Sequence, residues 1–396
     1  MVFRKSCGIM IDMCDRFFGG VLPFGGIAGV WAQLFIFPQN TRRPVRTDQT
    51  ISQDGDGRDR TIMNPNDELL LEFAPMEGIT TAAFRTAHHE LFGGADRYYS
   101  PFINTGHAFL TRTKDIRDIR PENNETISVI PQLLSNSSAD FIDAVLALAR
   151  IGYSEINLNL GCPSPTVTSK HRGSGFLEDP EKLDRFFCEV FEALPRAESE
   201  IGGPLALSVK TRIGFSCPEE AYTLMEIYRN YPFSLLIVHP RTRGELYSGN
   251  VHTDIFLDLL RMSRCPVCYN GDLMNTEDVN RILALCAGTG PEENPLRGIM
   301  IGRGAIRNPA LFRMIRGGAK PSAEEIRRFL DRYLAITAAD IREERNRLAK
   351  LKDLWTFLGT LFSDSGRYLK KIRKAKTMAA YRAAADDLLA NCPIVP

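Results

Sequence analysis

The sequence predicts an α/β protein: a closed (β/α)8 TIM barrel followed by a small C-terminal helical domain. Three observations carry this. From residue 63 onward, short β-branched or apolar runs alternate with longer amphipathic stretches, as in a parallel sheet with crossover helices. The runs number eight in about 250 residues, which matches a (β/α)8 barrel in count and size. No Gly-x-Gly-x-x-Gly follows the first run, so an open dinucleotide-binding sheet lacks its fingerprint.

In order, the strand runs are 69–76, 97–103, 126–133, 155–161, 205–213, 234–242, 267–272 and 298–304. Helical periodicity fills 81–92, 139–151, 180–194, 218–231, 253–261 and 276–287 between them. The barrel is therefore assigned to 63–316 and a helical domain to 317–396. Residues 1–62 do not share the pattern. An uncharged, Gly-rich apolar run over 17–37 approaches the length of a membrane span, and Arg4 and Lys5 precede it as a signal peptide's basic residues would. Asp12, Asp15 and Arg16 interrupt that order, and no small-x-small cleavage site follows. We read 1–62 as a disordered or mistranslated extension, with a membrane anchor as the lesser reading.

Across 396 residues, 44% hydrophobic and 24% charged content with a net charge of +1 describe a soluble globular chain. Overall charge announces no nucleic-acid partner, so any basic surface must be local. The nine cysteines are scattered, without the dense framework of a small secreted protein, and a cytoplasmic location follows. Cys265 and Cys268 have CxxC spacing but no second pair, and residues three apart in a strand face opposite ways, so no metal site is expected.

A barrel of this type carries its chemistry at the carboxyl ends of the strands. Those ends hold Pro75-Met76-Glu77-Gly78, Gln132, Asn159 with Cys162, Lys210 with Arg212, His239 with Arg241, Asn270-Gly271-Asp272 and Gly302-Arg303-Gly304. Singly, each has a bland explanation: Gln132 as a helix cap, Lys210 as the partner of a core carboxylate, His239 as a satisfied interior histidine. Together at one mouth, they form a polar surface suited to a planar, polar ring system. Cys162, between a glycine and a proline just past an apolar run, lies where the chain turns out of the sheet.

The stretches Ala74-Pro75-Met76-Glu77-Gly78, Asn159-Leu160-Gly161-Cys162-Pro163, Ser208-Val209-Lys210-Thr211-Arg212, Val238-His239-Pro240-Arg241-Thr242, Asn270-Gly271-Asp272 and Ile301-Gly302-Arg303-Gly304-Ala305 together resemble the tRNA-dihydrouridine synthases. The resemblance covers residues 69–316 closely and the C-terminal stretch loosely. It implies an FMN-dependent oxidoreductase, recharged by NADPH, that reduces the C5–C6 double bond of a uridine in tRNA. It further implies that Pro75, Met76 and Glu77 lie along the isoalloxazine, that Gln132 hydrogen-bonds its edge, and that Lys210 sits near its N1 and O2. Asn270, Gly271, Asp272, Gly302 and Arg303 would hold the ribityl chain and phosphate. The loops after strands seven and eight are also the usual phosphate site of such a barrel.

Reduction of the double bond needs a proton at C5, and the resemblance makes Cys162 its donor. Such a thiol must stay protonated at working pH. His239 and Arg241 would orient carbonyls of the ring systems, and Asn159 would contact the substrate. The sequence departs from the family at Asn157, Pro165 and Thr168, where aspartate, lysine and asparagine are common. These departures bear on the RNA contacts of the Cys162 loop.

Residues 340–376 hold eleven Lys or Arg against five Asp or Glu. Arg367, Lys370, Lys371 and Lys374 follow i, i+3, i+4, i+7 spacing, one face of a helix, with Trp355, Phe357, Leu358, Phe362, Leu369 and Ile372 as its apolar packing. A basic face is often only solvated, but the resemblance implies a tRNA-gripping surface containing Lys370, Lys371 and Lys374. Three rival functions remain open to the residues themselves. They are another FMN barrel acting on free pyrimidines, an aldolase with Lys210 as Schiff base, and a barrel that remodels tRNA without turnover.

Overall fold

The computed structural model describes residues 69–106, 113–289 and 296–395. The proposed extension over 1–62 lies outside the described residues. Ten strand segments form one parallel sheet. They make eight barrel strands, because two strands are each split in two. We number them β1 (Leu70–Phe73), β2 (Arg97–Tyr99, resuming at Ile103–Asn104), β3 (Val129–Ile130, resuming at Gln132–Leu134) and β4 (Glu155–Leu160). The others are β5 (Ala206–Gly214), β6 (Leu235–Thr242), β7 (Val267–Tyr269) and β8 (Leu296–Ile301). Pro101 and Pro131 mark the two splits, where a missing N–H interrupts the ladder. The first piece of β2 pairs with β1 and with the first piece of β3, while the second piece of β3 carries the ladder on to β4. β1 also pairs with β8, which closes the ring.

Inside the barrel an apolar plug of Ala74, Tyr99, Ile130, Ile237, Cys268 and Met300 separates the two ends. Outside it, helices bury aromatic and aliphatic faces against the strands, as with Phe84 and Phe141. Several elements end differently from their sequence patterns: β1 stops at Phe73 and not at 76, and the helix expected over 218–231 spans Glu220–Tyr228. β7 stops at Tyr269, and a side chain at Gly271 would meet the Tyr269 hydroxyl at 2.1 Å, so the chain can turn closely there only with glycine. β8 ends at Ile301, and Arg303 opens the short helix Arg303–Arg307 instead of prolonging the strand. The helix expected to stop at 194 runs Pro180–Ile201 through Pro195. One missing backbone hydrogen bond is offset there by continued burial of Leu194 and Ala197, and Gly202 at φ 71° ends the helix.

Four helices follow the barrel: Ala323–Asp340, Glu344–Leu358, Gly366–Lys374 and Met378–Asn391. The first begins with a capping box in which Ser322 and Glu325 satisfy each other's backbone N–H groups. Trp355, Leu358, Phe362 and Ile372 are buried in this unit, and Trp355 Nε1 donates to the Tyr381 hydroxyl at 2.9 Å. Among the described residues no helix is long and apolar enough to cross a membrane.

Candidate active site at the barrel mouth

β4 sends Asn157 and Asn159 inward, and register sets Asn159 opposite Lys210 on β5, with Arg212 opposite His239 on β6. The inward amides form a directed chain. Asn159 Oδ1 accepts the N–H groups of Gly161 (3.0 Å) and Cys162 (2.9 Å), while its Nδ2 donates to Gln132 Oε1 at 2.7 Å. Gln132 Nε2 donates to Asn157 Oδ1 at 2.8 Å, and Asn157 Nδ2 donates to Ser208 Oγ at 3.0 Å. Each amide's orientation is thereby set by its neighbour, and a buried polar chain with its partners made is stiff. Asn159 acts here on the protein itself, fastening the turn that carries Cys162.

Asn157 lies wholly buried inside the barrel, and Thr168 is buried with Arg243 Nη2 at 3.5 Å from its hydroxyl. Both side chains are thus turned into the protein. Of the three, Pro165 alone is exposed, at the start of the short helix Pro165–Thr168.

Cys162 is half-buried, and its loop is closed by Ser174, whose N–H and hydroxyl both donate to the Cys162 carbonyl. A side chain at Gly173 would meet that carbonyl at 2.8 Å. Burial pushes the Cys162 thiol up, Glu77 adds to this, and Lys210 and Arg212 oppose it. The thiol is therefore protonated at neutral pH. Lys210 is pushed down to about 8 by burial and by the Arg212 charge. Among the described residues no carboxylate pairs with it, which removes the bland reading of this lysine as the partner of a core acid.

A cavity of about 280 Å3 opens above these groups. Pro75, Met76 and Glu77 line it from the β1 loop, Gln132, Asn159 and Cys162 from β3 and β4, and Lys210 and His239 from β5 and β6. Asn270, Gly271, Asp272, Gly302 and Arg303 complete the wall after β7 and β8. A side chain at Gly302 would fall 3.3 Å from Ala74 and 3.5 Å from Met76, so glycine keeps this wall open. Asp272 accepts from Arg241 at 2.9 and 2.6 Å and from Arg303, and the Arg241 hydrogen bonds hold its carboxyl below the usual range. His239 is held neutral by burial and by the surrounding cations, and its Nε2 accepts from Arg241 at 3.2 Å.

Arg241 does not reach the cavity. It is buried behind Asp272, with Nε donating to the Gly249 carbonyl at 2.7 Å. Lys370, Lys371 and Lys374 are exposed on Gly366–Lys374 and do not line the cavity, and Lys371 pairs with Asp387 at 3.3 Å.

Two residues of the mouth were not assigned from sequence. Arg212 donates to the carbonyls of Gly161, Thr242 and Leu246, tying the Cys162 turn to the β6 loop. Tyr247, 50% exposed, lies between the guanidinium groups of Arg212 (5.3 Å) and Arg303 (4.9 Å) and stacks on His239. An exposed aromatic in a loop leaving a barrel strand was the available clue.

Comparison with known proteins agrees with this geometry. Residues 72–391 match the family model described as dihydrouridine synthase (Dus). The tRNA-dihydrouridine(16) synthase of Neisseria meningitidis serogroup B is 24% identical over 330 residues, covering 80% of this chain and 94% of that protein. The probable tRNA-dihydrouridine synthase of Treponema pallidum is 31% identical, covering 62% of this chain and 69% of its own. For tRNA-dihydrouridine synthase B of Pseudomonas putida, identity is 29% over 68% of this chain and 76% of the relative. With a family match that spans most of its length and a barrel whose mouth gathers the motif residues, this chain belongs to the dihydrouridine synthase family.

Proposed function

We propose that this protein is a tRNA-dihydrouridine synthase: it reduces the C5–C6 double bond of a uridine in tRNA, with FMN as cofactor and NADPH as reductant. The observation that carries the reading is that one cavity gathers the free thiol of Cys162 and the Lys210 ammonium, which has no carboxylate partner among the described residues, with the inward amides Gln132 and Asn159. The residues present suit FMN. Lys210, without a carboxylate partner among the described residues, would meet the negative edge of the ring, and Gln132, its amide already oriented, its polar rim. Gly271 and Gly302 leave backbone exposed where side chains would collide, and Arg303 beside them supplies charge for a phosphate. Asn270, Asp272 and His239 would hold the ribityl chain and ring edge, with Pro75, Met76 and Glu77 along the ring.

When bound, FMN supplies the hydride for uracil C6. The rest falls to this chain. Cys162 donates the proton to C5, and its Asn159-anchored turn holds the sulfur in position. Arg212 keeps the β6 loop against that turn, and the half-exposed Tyr247 borders the mouth from that loop. Arg241 works indirectly by fixing Asp272 and His239. Lys370, Lys371 and Lys374 in the 317–396 domain would meet tRNA phosphates.

The test is the dihydrouridine content of tRNA, by mass spectrometry, in a strain lacking this gene. Loss of dihydrouridine at one position, restored by the wild-type gene, supports the reading. Unchanged content in a strain with no second gene of this family sinks it.

A further inference from the structure

A cleft of about 540 Å3 opens between the start of helix Ala82–Leu91 and the junction of helices Ala323–Asp340 and Glu344–Leu358. It is larger than the mouth cavity, and one loop separates the two. Met76 and Glu77 line the mouth, whereas Thr81, a few residues on, lines the cleft. Lys350 bridges them: it lines the cleft and donates from Nζ to the Gly78 carbonyl at 2.7 Å.

Ala82, Ala83 and Ile341 give the cleft apolar lining. The rest of its lining is polar. Arg117 pairs with Asp340 at 3.3 Å, and Arg342 and Asn346 are exposed. The lining carries the cations Arg117, Arg342 and Lys350 and the acids Asp118, Asp340 and Glu343, of which Asp118 is also held by the buried Arg85 and Glu343 accepts from Asn346. A bare phosphate would be poorly served by so many carboxylates. A planar base with N–H donors on its edge, apolar faces and an attached phosphate uses both signs of charge and the apolar lining. The volume also lies within the range that holds a ligand of nucleotide size, roughly 300–1,000 Å3.

We propose that this cleft is a second nucleotide subsite, which takes a base with an exocyclic amine from the same RNA strand as the uridine in the mouth. This rests on the tRNA reading above. RNA strands are commonly read with several bases splayed from the stack, and the shared loop wall places the two cavities side by side along such a strand. Lys350 then links occupancy of the cleft to the loop that carries Met76 and Glu77.

To test this, benzoylphenylalanine is placed at position 346 of the full-length, FMN-loaded protein, which is irradiated with unmodified tRNA. The crosslink is mapped by primer extension. It is expected within about two nucleotides of the uridine that the same preparation converts to dihydrouridine. Arg342→Glu, an exposed change, is expected to weaken tRNA binding about ten-fold with FMN retention unchanged. If dihydrouridine forms but the crosslink is absent or distant, or Arg342→Glu binds tRNA as wild type does, the subsite is overturned alone. If no tRNA is converted, the underlying reading falls instead.

Discussion

The Asn159 carboxamide oxygen accepts the Cys162 backbone N–H at 2.9 Å, so the turn that carries the thiol is fastened to the inner wall of the barrel. The same oxygen holds Gly161, and the same side chain orients Gln132. Thiol position and amide orientation therefore depend on one residue.

Asn159→Ala should uncouple them. Leaving two backbone donors and the Gln132 oxygen without their partner should cost about 1–3 kcal/mol of stability, read by thermal melting. Dihydrouridine formation should fall about ten-fold or more in single turnover, while NADPH still reduces the bound flavin. Wild-type turnover in this variant would show that the turn holds itself without Asn159.

For Lys210, the lowered pKa of about 8 sets a pH window. The ammonium is present below this value and lost above it, so FMN binding to the FMN-free protein should weaken as pH rises through about 8. The sign for stability is opposite. The folded pKa lies below the ordinary lysine value of 10.5, so the fold disfavours the charged form, and this group's contribution improves as pH rises between the two. Lys210→Met should therefore bind FMN weakly at every pH and melt higher than wild type when FMN-free. Fluorescence titration and melting curves read both, and a pH-independent FMN affinity in the wild type would argue against a charge role for Lys210.

These residues also mark how far the sequence could be read. Strand count and end-of-strand polarity announced the barrel and its mouth, because alternation and strand-end position follow from chain geometry. What a side chain contacts does not follow from spacing. Arg241 shares a strand with His239 yet is spent on Asp272 and the Gly249 carbonyl, and Asn157, placed on a strand by its pattern, belongs to a buried amide chain that spacing does not announce. Tyr247 lies in a loop without periodicity, the end of β7 was overextended because strand propensity does not register the close approach of Gly271 to Tyr269, and that of β8 because a helix opens at Arg303.

The basic helix gives a third expectation. Changing Lys370, Lys371 and Lys374 together to Ala should raise the apparent KM for tRNA and reduce the slope of log affinity against log salt by roughly one unit per lost phosphate contact. Lys371 should contribute least, because Asp387 already pairs with it at 3.3 Å. Flavin content should be unaltered. An unchanged salt slope would reduce this face to solvated surface.

The Cys162 thiol gives a fourth. Its pKa is raised above the ordinary value of 9.0, so the proton is available throughout the neutral range and is lost as pH climbs through that raised value. With enzyme already reduced, dihydrouridine formation should be flat near neutrality with respect to this group and should fall only in alkali. Stopped-flow mixing with tRNA across pH reads this profile. A decline centred near neutrality would assign the proton to another group.

Single turnover of pre-reduced Cys162→Ala with unmodified tRNA tests the central claim most directly. The variant should retain FMN and accept electrons from NADPH at the wild-type rate, while dihydrouridine formation falls about a hundred- to ten-thousand-fold, as for a lost general acid. Dihydrouridine appearing at the wild-type rate would contradict Cys162 as the proton donor and return the mouth to another chemistry.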